Sequence, residues 1–277
     1  MQDRALPAPF LKWAGGKRQL LPRILQLVPA SIDTYYEPFV GGGAVFFALA
    51  AQGLFRRAVL GDANAELVIC YTAIRDQVDA VISGLRRFRN DPDAYYEVRA
   101  KDPARLSPAA RAARVIFLNR CGYNGLYRVN SKGAFNVPFG RYRRPLICDE
   151  RKLRAASQAL RTVKIVAGDF GKLTAKAGPD DFVYLDPPYV PLSATSSFTA
   201  YAGRDFGTAA QERLAEALRA LSARGVPALL SNSDCAATRK LYQGLDVERI
   251  RARRAINSVA RRRGPVDEIL VKVGVGG

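Results

Sequence analysis

The chain is 277 residues long and 48% hydrophobic, and its 43 Lys and Arg against 25 Asp and Glu give a formal net charge of +18. This length accommodates one large domain, or one domain with an insertion, and no apolar stretch is long enough to cross a bilayer. A one-signed excess of this size favours a polyanionic partner, nucleic acid, over a merely solvated surface, while the absence of histidine excludes a Ser-His-Asp triad and any imidazole base.

The chain opens on Phe10-Leu11-Lys12-Trp13-Ala14-Gly15-Gly16-Lys17, with a loop and helix expected over about 15 to 28. Pro7, Pro9 and Lys12 interrupt any apolar leader, so a cytoplasmic setting is expected, and Cys70, Cys121, Cys148 and Cys235 lack metal-ligand spacing, so no metal is expected. Tyr35-Tyr36-Glu37-Pro38-Phe39-Val40-Gly41-Gly42-Gly43 is a β-prone run broken by three glycines and followed by helix-prone Ala44 to Ala51. Strand, glycine loop and helix in this order let a nucleotide-like ligand approach the backbone at a strand's carboxyl end. The loop has neither a following Gly-Lys-Ser/Thr nor the G-x-G-x-x-G spacing, which favours a nucleoside without a polyphosphate. Asp62 ends the next strand, Ala58 to Gly61, and reads equally as an acceptor for ribose hydroxyls or as the cap of the helix after Asn64.

A mostly helical stretch to about 120 leads into a Gly/Asn/Pro-rich segment from 121 to 146. Asn124-Gly125 is a strong turn signal, and the chain through Phe139 reads as a β-hairpin on a helical base. On such a ribbon Arg128 suits a bidentate contact to guanine and Tyr123 a wedge into the gap left by an extruded base; an ordinary exposed hairpin has the same spacing.

After residue 161 strands and helices alternate again, with strands at Thr162 to Ala167, Phe182 to Leu185 and Val226 to Leu230 and a helix at 208–224. Alternation of this kind implies a doubly wound, mostly parallel α/β sheet. Arg249, Arg251, Arg253, Arg254, Arg261, Arg262 and Arg263 bracket Ala255 to Ala260, a strand-loop-strand pattern whose tip is either a phosphate contact or a solvated loop. The most informative residues are Asp186-Pro187-Pro188-Tyr189, directly after the apolar strand Phe182-Val183-Tyr184-Leu185. Two prolines fix the turn and leave the Asp186 carboxylate and the Pro187 carbonyl as acceptors, while Tyr189 offers a flat face. Two acceptors gripping an exocyclic amino group favour a pyramidal nitrogen and stabilise the charge that develops as it attacks a methyl donor. In isolation the tetrapeptide would read as a strand-ending turn.

From about residue 9 to about residue 273 the order of these motifs closely resembles the Dam-type, D12-class family of site-specific DNA adenine-N6 methyltransferases. The resemblance implies a class I, Rossmann-like sheet of seven strands with one antiparallel, split into a catalytic part (1–82 and 161–277) and a target-recognition insertion (83–160). It implies S-adenosylmethionine as cofactor, no metal, and methylation of duplex DNA within GATC by base flipping and direct in-line transfer, by a monomer in the cytoplasm at the nucleoid. Asp186, Pro187 and Tyr189 are the implied catalytic residues. Trp13, Lys17, Glu37, Phe39, Gly41, Gly43, Asp62, Asp169, Phe170 and Asp186 fall at cofactor positions, with Trp13 and Lys17 toward the methionine part, although a lone tryptophan is more often core. Asp169-Phe170 falls at the adenine-reading pair, and a helix cap is a strong competing reading of Asp169. Lys12, Tyr123, Asn124, Leu126, Arg128, Pro138 and Tyr142 fall at GATC-reading positions. Methylation of cytosine C5 needs a nucleophilic cysteine, usually after proline, and none of the four follows one. Cytosine-N4 methylation and a non-catalytic DNA-binding regulator are the alternatives.

Overall fold

The computed structural model describes residues 5–13, 15, 17, 19–190, 206–253 and 265–276; Ala14, Gly16 and the arginine-rich tip with Arg254, Arg261, Arg262 and Arg263 lie outside the described residues. Its strands are β1 (Ile32–Glu37), β2 (Phe55–Asp62), β3 (Val163–Ala167), β4 (Phe182–Leu185), β5 (Ala228–Ser233), β6 (Asp246–Arg253) and β7 (Pro265–Val273). They form one seven-stranded sheet in the order β3-β2-β1-β4-β5-β7-β6, in which β7 alone runs antiparallel to its neighbours. This is the class I methyltransferase sheet expected above. Because the chain leaves β1 toward β2 on one side and β4 toward β5 on the other, the order reverses between β1 and β4, where open α/β sheets form a crevice at the strands' carboxyl ends.

The strands are apolar on both faces because helices cover both. Successive side chains alternate between two cores: Tyr35, Phe182, Tyr184, Leu229 and Leu270 pack on one side, and Tyr36, Val183, Leu185, Leu230 and Val271 on the other. The first core contains helices α1 (Leu21–Leu27), α2 (Ala44–Gln52) and α3 (Ala65–Asp76), and continues into α4 (Val78–Leu85), α5 (Pro92–Ala100), α6 (Pro108–Cys121) and α7 (Glu150–Leu160). Short α8 (Phe170–Thr174), then α9 (Thr208–Ala223) and α10 (Ala236–Leu241), complete the set, with Leu214, Leu218 and Leu221 of α9 in the second core. The start signals are local: Asp91 before Pro92 and Ser107 before Pro108 accept the first free amides of α5 and α6.

The segment after α6 departs from the expected hairpin in one respect. The ribbon is closed by isolated bridges, Gly122 to Phe139 and Val129 to Phe135, and its tip lies at Asn130–Gly133, where the Gly133 amide donates to the Asn130 carbonyl at 2.9 Å. Asn124 and Gly125 do adopt the left-handed conformation (φ 53° and 63°), but at the ribbon's root. Their turn is held from outside: the Asn119 side chain donates to the carbonyls of Gly125 (2.8 Å) and Lys12 (2.6 Å) and accepts from the Lys12 amide (2.7 Å). The turn signal was local and real, but a tertiary partner decides what the turn connects.

Helix α2 starts on Gly43 at φ 68°, with no capping side chain of its own. Glu37 fills that role from the end of β1: one carboxyl oxygen, Oε2, accepts both the Phe46 amide (3.1 Å) and the Tyr35 hydroxyl (2.8 Å). Burial pushes this carboxyl from its ordinary 4.5 up to about 8. Between those values the folded chain holds a proton that the unfolded chain has released, so stability is lost as pH rises through the window. Glu37→Gln keeps an acceptor for both donors and removes the proton. Relative to the variant, the wild type should therefore lose stability from pH 4.5 toward 8, by at most about 1.4 kcal/mol per pH unit. Parallel curves of Tm against pH for the two proteins would show that Glu37 is ionised in the fold.

Candidate active site

All four residues of β4 are buried, and the strand delivers Asp186 to the carboxyl edge of the sheet beside β1. The Asp186 carboxylate, whose side chain retains 20% exposure, takes two donors on the same oxygen: Lys17 Nζ lies 2.7 Å and Ser231 Oγ 2.9 Å from Oδ1. Ser231 has one proton and uses it on Asp186, so the 3.1 Å contact between the Ser231 and Tyr184 hydroxyls has Tyr184 as donor. Burial raises the Asp186 carboxyl, and the Lys17 ammonium and the Ser231 hydroxyl oppose that rise. Lys17, itself almost completely buried, also donates to the Gly15 carbonyl at 2.7 Å and lies 4.8 Å from the centre of the Tyr189 ring.

Beyond Asp186 the turn is pinned from β5 and α9. Gln211 Nε2 donates to the Pro188 carbonyl (2.9 Å), Asn232 Nδ2 to Gln211 Oε1 (3.1 Å), the Val190 amide to Asn232 Oδ1 (3.2 Å), and Ser233 Oγ to the Val190 carbonyl (2.7 Å). Among the described residues no hydrogen bond reaches the Pro187 carbonyl. The Tyr189 hydroxyl donates to Glu268 Oε2 at 2.8 Å, so the phenol is anchored by its oxygen and presents its ring.

Across the sheet reversal, the glycine loop packs against Trp13. A Cβ on Gly41 would stand 2.9 Å from the indole, and one on Gly43 would stand 2.7 Å from the Tyr71 hydroxyl, which donates to the Gly41 carbonyl. Only glycine fits there, and both residues have positive φ. Asp62 is tied to the same loop: its carboxylate accepts the Gly41 amide at 3.1 Å and the Asn64 amide at 2.9 Å. The cap of α3 is Asn64 itself, whose Oδ1 accepts the Glu66 and Leu67 amides, which removes the helix-cap reading of Asp62. Burial pushes the Asp62 carboxyl up to about 6, so it remains an anion at neutral pH.

Asp169 does cap its helix, accepting the Gly171 amide at 3.0 Å, and it also pairs with Arg213 at 2.8 Å. Burial alone would raise its carboxyl, but Arg213 and the helix amides together bring it below the usual range. Phe170 lies against Phe39 (5.4 Å between ring centres), and Phe206 meets both.

Of the residues expected to read the target, three meet. Lys12 Nζ stands 4.7 Å over the Tyr142 ring, and the Tyr142 hydroxyl accepts the Asn124 amide at 3.0 Å. Trp13, which packs on the glycine loop, stands 5.6 Å from Tyr127 of the ribbon. Tyr123 is exposed, and its amide donates to the carbonyl of Pro138, also exposed. Leu126 is half-buried at the foot of the ribbon, whereas Arg128 is exposed and reaches across to the ribbon's facing arm, with Nε donating to Asn136 Oδ1 at 2.7 Å.

Sequence reasoning overlooked Ser231, Asn232, Gln211 and Asn119. The first two had a signal: β5 continues past its apolar run into Ser231-Asn232-Ser233, and all three polar residues are buried. Buried polar side chains need partners, and here the partners are the Asp186 to Val190 turn. Gln211 and Asn119 lie among helical residues with nothing local to mark them.

Residues 13–256 match the family described as D12 class N6 adenine-specific DNA methyltransferase. A type II methyltransferase of Lactococcus lactis subsp. cremoris, M1.LlaDCHI, is 42% identical over 95% of this chain and 94% of its own. The type II methyltransferase M.MjaIII of Methanocaldococcus jannaschii is 42% identical over 95% and 98%, and the DNA adenine methylase of Escherichia coli K12 is 38% identical over 94% and 93%. The match decides for adenine N6 over cytosine N4, the two amines that the tetrapeptide chemistry allows. With a glycine loop on one side of the sheet reversal and an enclosed carboxylate on the other, the chain belongs to the D12 class of site-specific, adenine-specific DNA methyltransferases.

Proposed function

We propose that the protein methylates adenine N6 within GATC in duplex DNA, using S-adenosylmethionine, after the base has turned out of the helix. The observation that carries this reading is the position of Asp186: a carboxylate held through Oδ1, next to a Pro187 carbonyl that takes no hydrogen bond among the described residues, across the sheet reversal from the glycine loop. The residues present suit the cofactor. Gly41 and Gly43 leave backbone without side chain, the ionised Asp62 has lone pairs beyond those given to amides and suits a ribose diol, and Phe39 and Phe170 provide flat apolar faces beside the polar Asp169. Glu37 holds the loop's helix in place, while Trp13 and Lys17 line the side toward Asp186. When bound, S-adenosylmethionine supplies a sulfonium methyl as the electrophile.

Asp186 and the Pro187 carbonyl accept the two N–H bonds of the target amine. This draws its lone pair out of conjugation with the ring and stabilises the positive charge on nitrogen as its bond to the methyl carbon forms and the bond from that carbon to sulfur breaks, leaving a neutral thioether. The excess proton leaves after transfer, so Asp186 acts through orientation and charge and no covalent enzyme intermediate is needed. Tyr189, fixed by Glu268, supplies a stacking face; a base takes the face opposite Lys17 or displaces that ammonium. The insertion 83–160, with the ribbon after α6, reads the target: Lys12, Asn124 and Tyr142 converge at its root, with Tyr123, Leu126, Arg128 and Pro138 along it.

Asp186→Ala should lower methyl transfer by roughly 10²–10³-fold, a loss of about 3–4 kcal/mol in transition-state stabilisation, while DNA binding by gel shift stays near wild type, because the charge on nitrogen appears only as the bond forms. Asp186→Asn, which keeps an acceptor and loses the charge, should also be severely impaired; wild-type turnover in either variant refutes the mechanism.

For target choice, Arg128 must release Asn136 before its guanidinium can fork onto guanine O6 and N7. Arg128→Ala should relax discrimination at one base pair by about 1–3 kcal/mol, measured as kcat/KM on GATC duplexes against every single-base variant at fixed salt. A uniform fall across all duplexes would make it a phosphate contact instead.

A further inference from the structure

Ser231 is fully buried in the centre of the sheet, yet among the described residues its hydroxyl serves no backbone group: it donates a hydrogen bond to Asp186 and so accepts one from Tyr184, with the Tyr189 hydroxyl also facing it. Tyr184 is fully buried too, one strand away, and its ring already packs in the first core without help from the hydroxyl. A chain of two buried hydroxyls ending on an enclosed carboxylate is costly unless each bond is made. An apolar pair of the same shape would fill this part of the core equally well. The chain runs in one direction, Tyr184 to Ser231 to Asp186 Oδ1, on the same oxygen that Lys17 approaches. With both donors on Oδ1, the rotation of the carboxylate about its Cβ–Cγ bond is set, and among the described residues no hydrogen bond is drawn to Oδ2.

We propose that Ser231 is a positioning residue for methyl transfer, and that Tyr184 acts on the reaction only through it. The hydroxyl pair orients the Asp186 carboxylate and favours its charged form. The inference rests on the reading of Asp186 as the acceptor of the target amine. Around Asp186 the other charged and titratable groups are Lys17, Glu37, Tyr35 and Tyr189, with Glu268 behind Tyr189. Lys17 favours the carboxylate and Glu37 opposes it when ionised, so Ser231 is one of two direct donors that oppose the rise burial imposes on Asp186.

The test is a double-mutant cycle of Ser231→Ala and Tyr184→Phe in the full-length enzyme, with Asp186→Ala as control. Each variant is read three ways: thermal melting, single-turnover rate at saturating DNA and S-adenosylmethionine as a function of pH, and DNA affinity. Ser231→Ala should leave DNA affinity unchanged, lower the single-turnover rate by roughly ten- to a hundredfold, and shift the acidic limb of the rate profile to higher pH. It should also lower Tm, because the Tyr184 hydroxyl is left buried without an acceptor. Adding Tyr184→Phe removes that orphan, so the double variant should recover Tm relative to Ser231→Ala while its rate and acidic limb stay where Ser231→Ala put them. A purely structural role predicts the reverse: rate follows Tm, and the limb does not move. Independent, multiplying rate effects of the two substitutions would overturn the claim that Tyr184 works through Ser231. If Asp186→Ala retains wild-type turnover, the reading of Asp186 fails; if it is impaired while Ser231→Ala matches wild type, only the positioning role fails.

Discussion

The rest of the site depends on one ion pair, Lys17 with Asp186, enclosed at the carboxyl edge of β4. A charged carboxylate so enclosed is stable only when opposed by charge and satisfied by hydrogen bonds, and removing either partner of such a pair costs more than the pair contributes. Lys17 meets the first demand and Ser231 the second. Glu37, pushed up to about 8 by its own burial, opposes Asp186 less at neutral pH than an ordinary glutamate would. The same ammonium lies over Tyr189, which couples the amino-terminal motif to both ends of the Asp186 to Tyr189 turn.

The sheet explains why these groups meet. Lys17, Glu37, Gly41, Asp62 and Asp186 come from separate stretches of chain, and the reversal of strand order between β1 and β4 brings their carriers to one edge. Interlocking then holds the edge: Asp62 ties β2 to the glycine loop, Glu37 ties β1 to α2, and the Ser231-Asn232-Ser233 run ties β5 to the turn after β4. The region 83–160 joins the same hydrophobic core instead of building its own, so a ribbon rooted on α6 is held rigidly relative to Asp186. Asn119 makes that connection explicit by bonding Lys12 and Gly125 at once.

Much of this was legible in the residues. Strand and helix alternation implies the doubly wound sheet, and the apolar strand before Asp186 together with two prolines locates the acceptor turn. What stayed hidden had a physical reason in each case. Asp62 and Asn64 are both good helix caps, and only the loop folded against Asp62 decides which of them caps α3. Asn124-Gly125 specifies a left-handed turn but not what the turn joins, and the ribbon's tip formed six residues later at Asn130, whose side chain accepts the Lys132 and Ala134 amides. Ser231 to Ser233 broke the apolar pattern of a strand, and polar residues at a strand's end read as its termination until the groups they satisfy are known.

The central claim is that Asp186 is an ionised carboxylate, kept so by Lys17 and Ser231, in the folded enzyme at neutral pH. Infrared difference spectroscopy tests it most directly, comparing wild type labelled with carbon-13 aspartate against Asp186→Asn across a pH titration. The account predicts a carboxylate band assigned to Asp186 at neutral pH that converts to a protonated carboxyl band only in acid, and at higher pH in Ser231→Ala than in wild type. A protonated band from Asp186 at neutral pH in the wild type would contradict it.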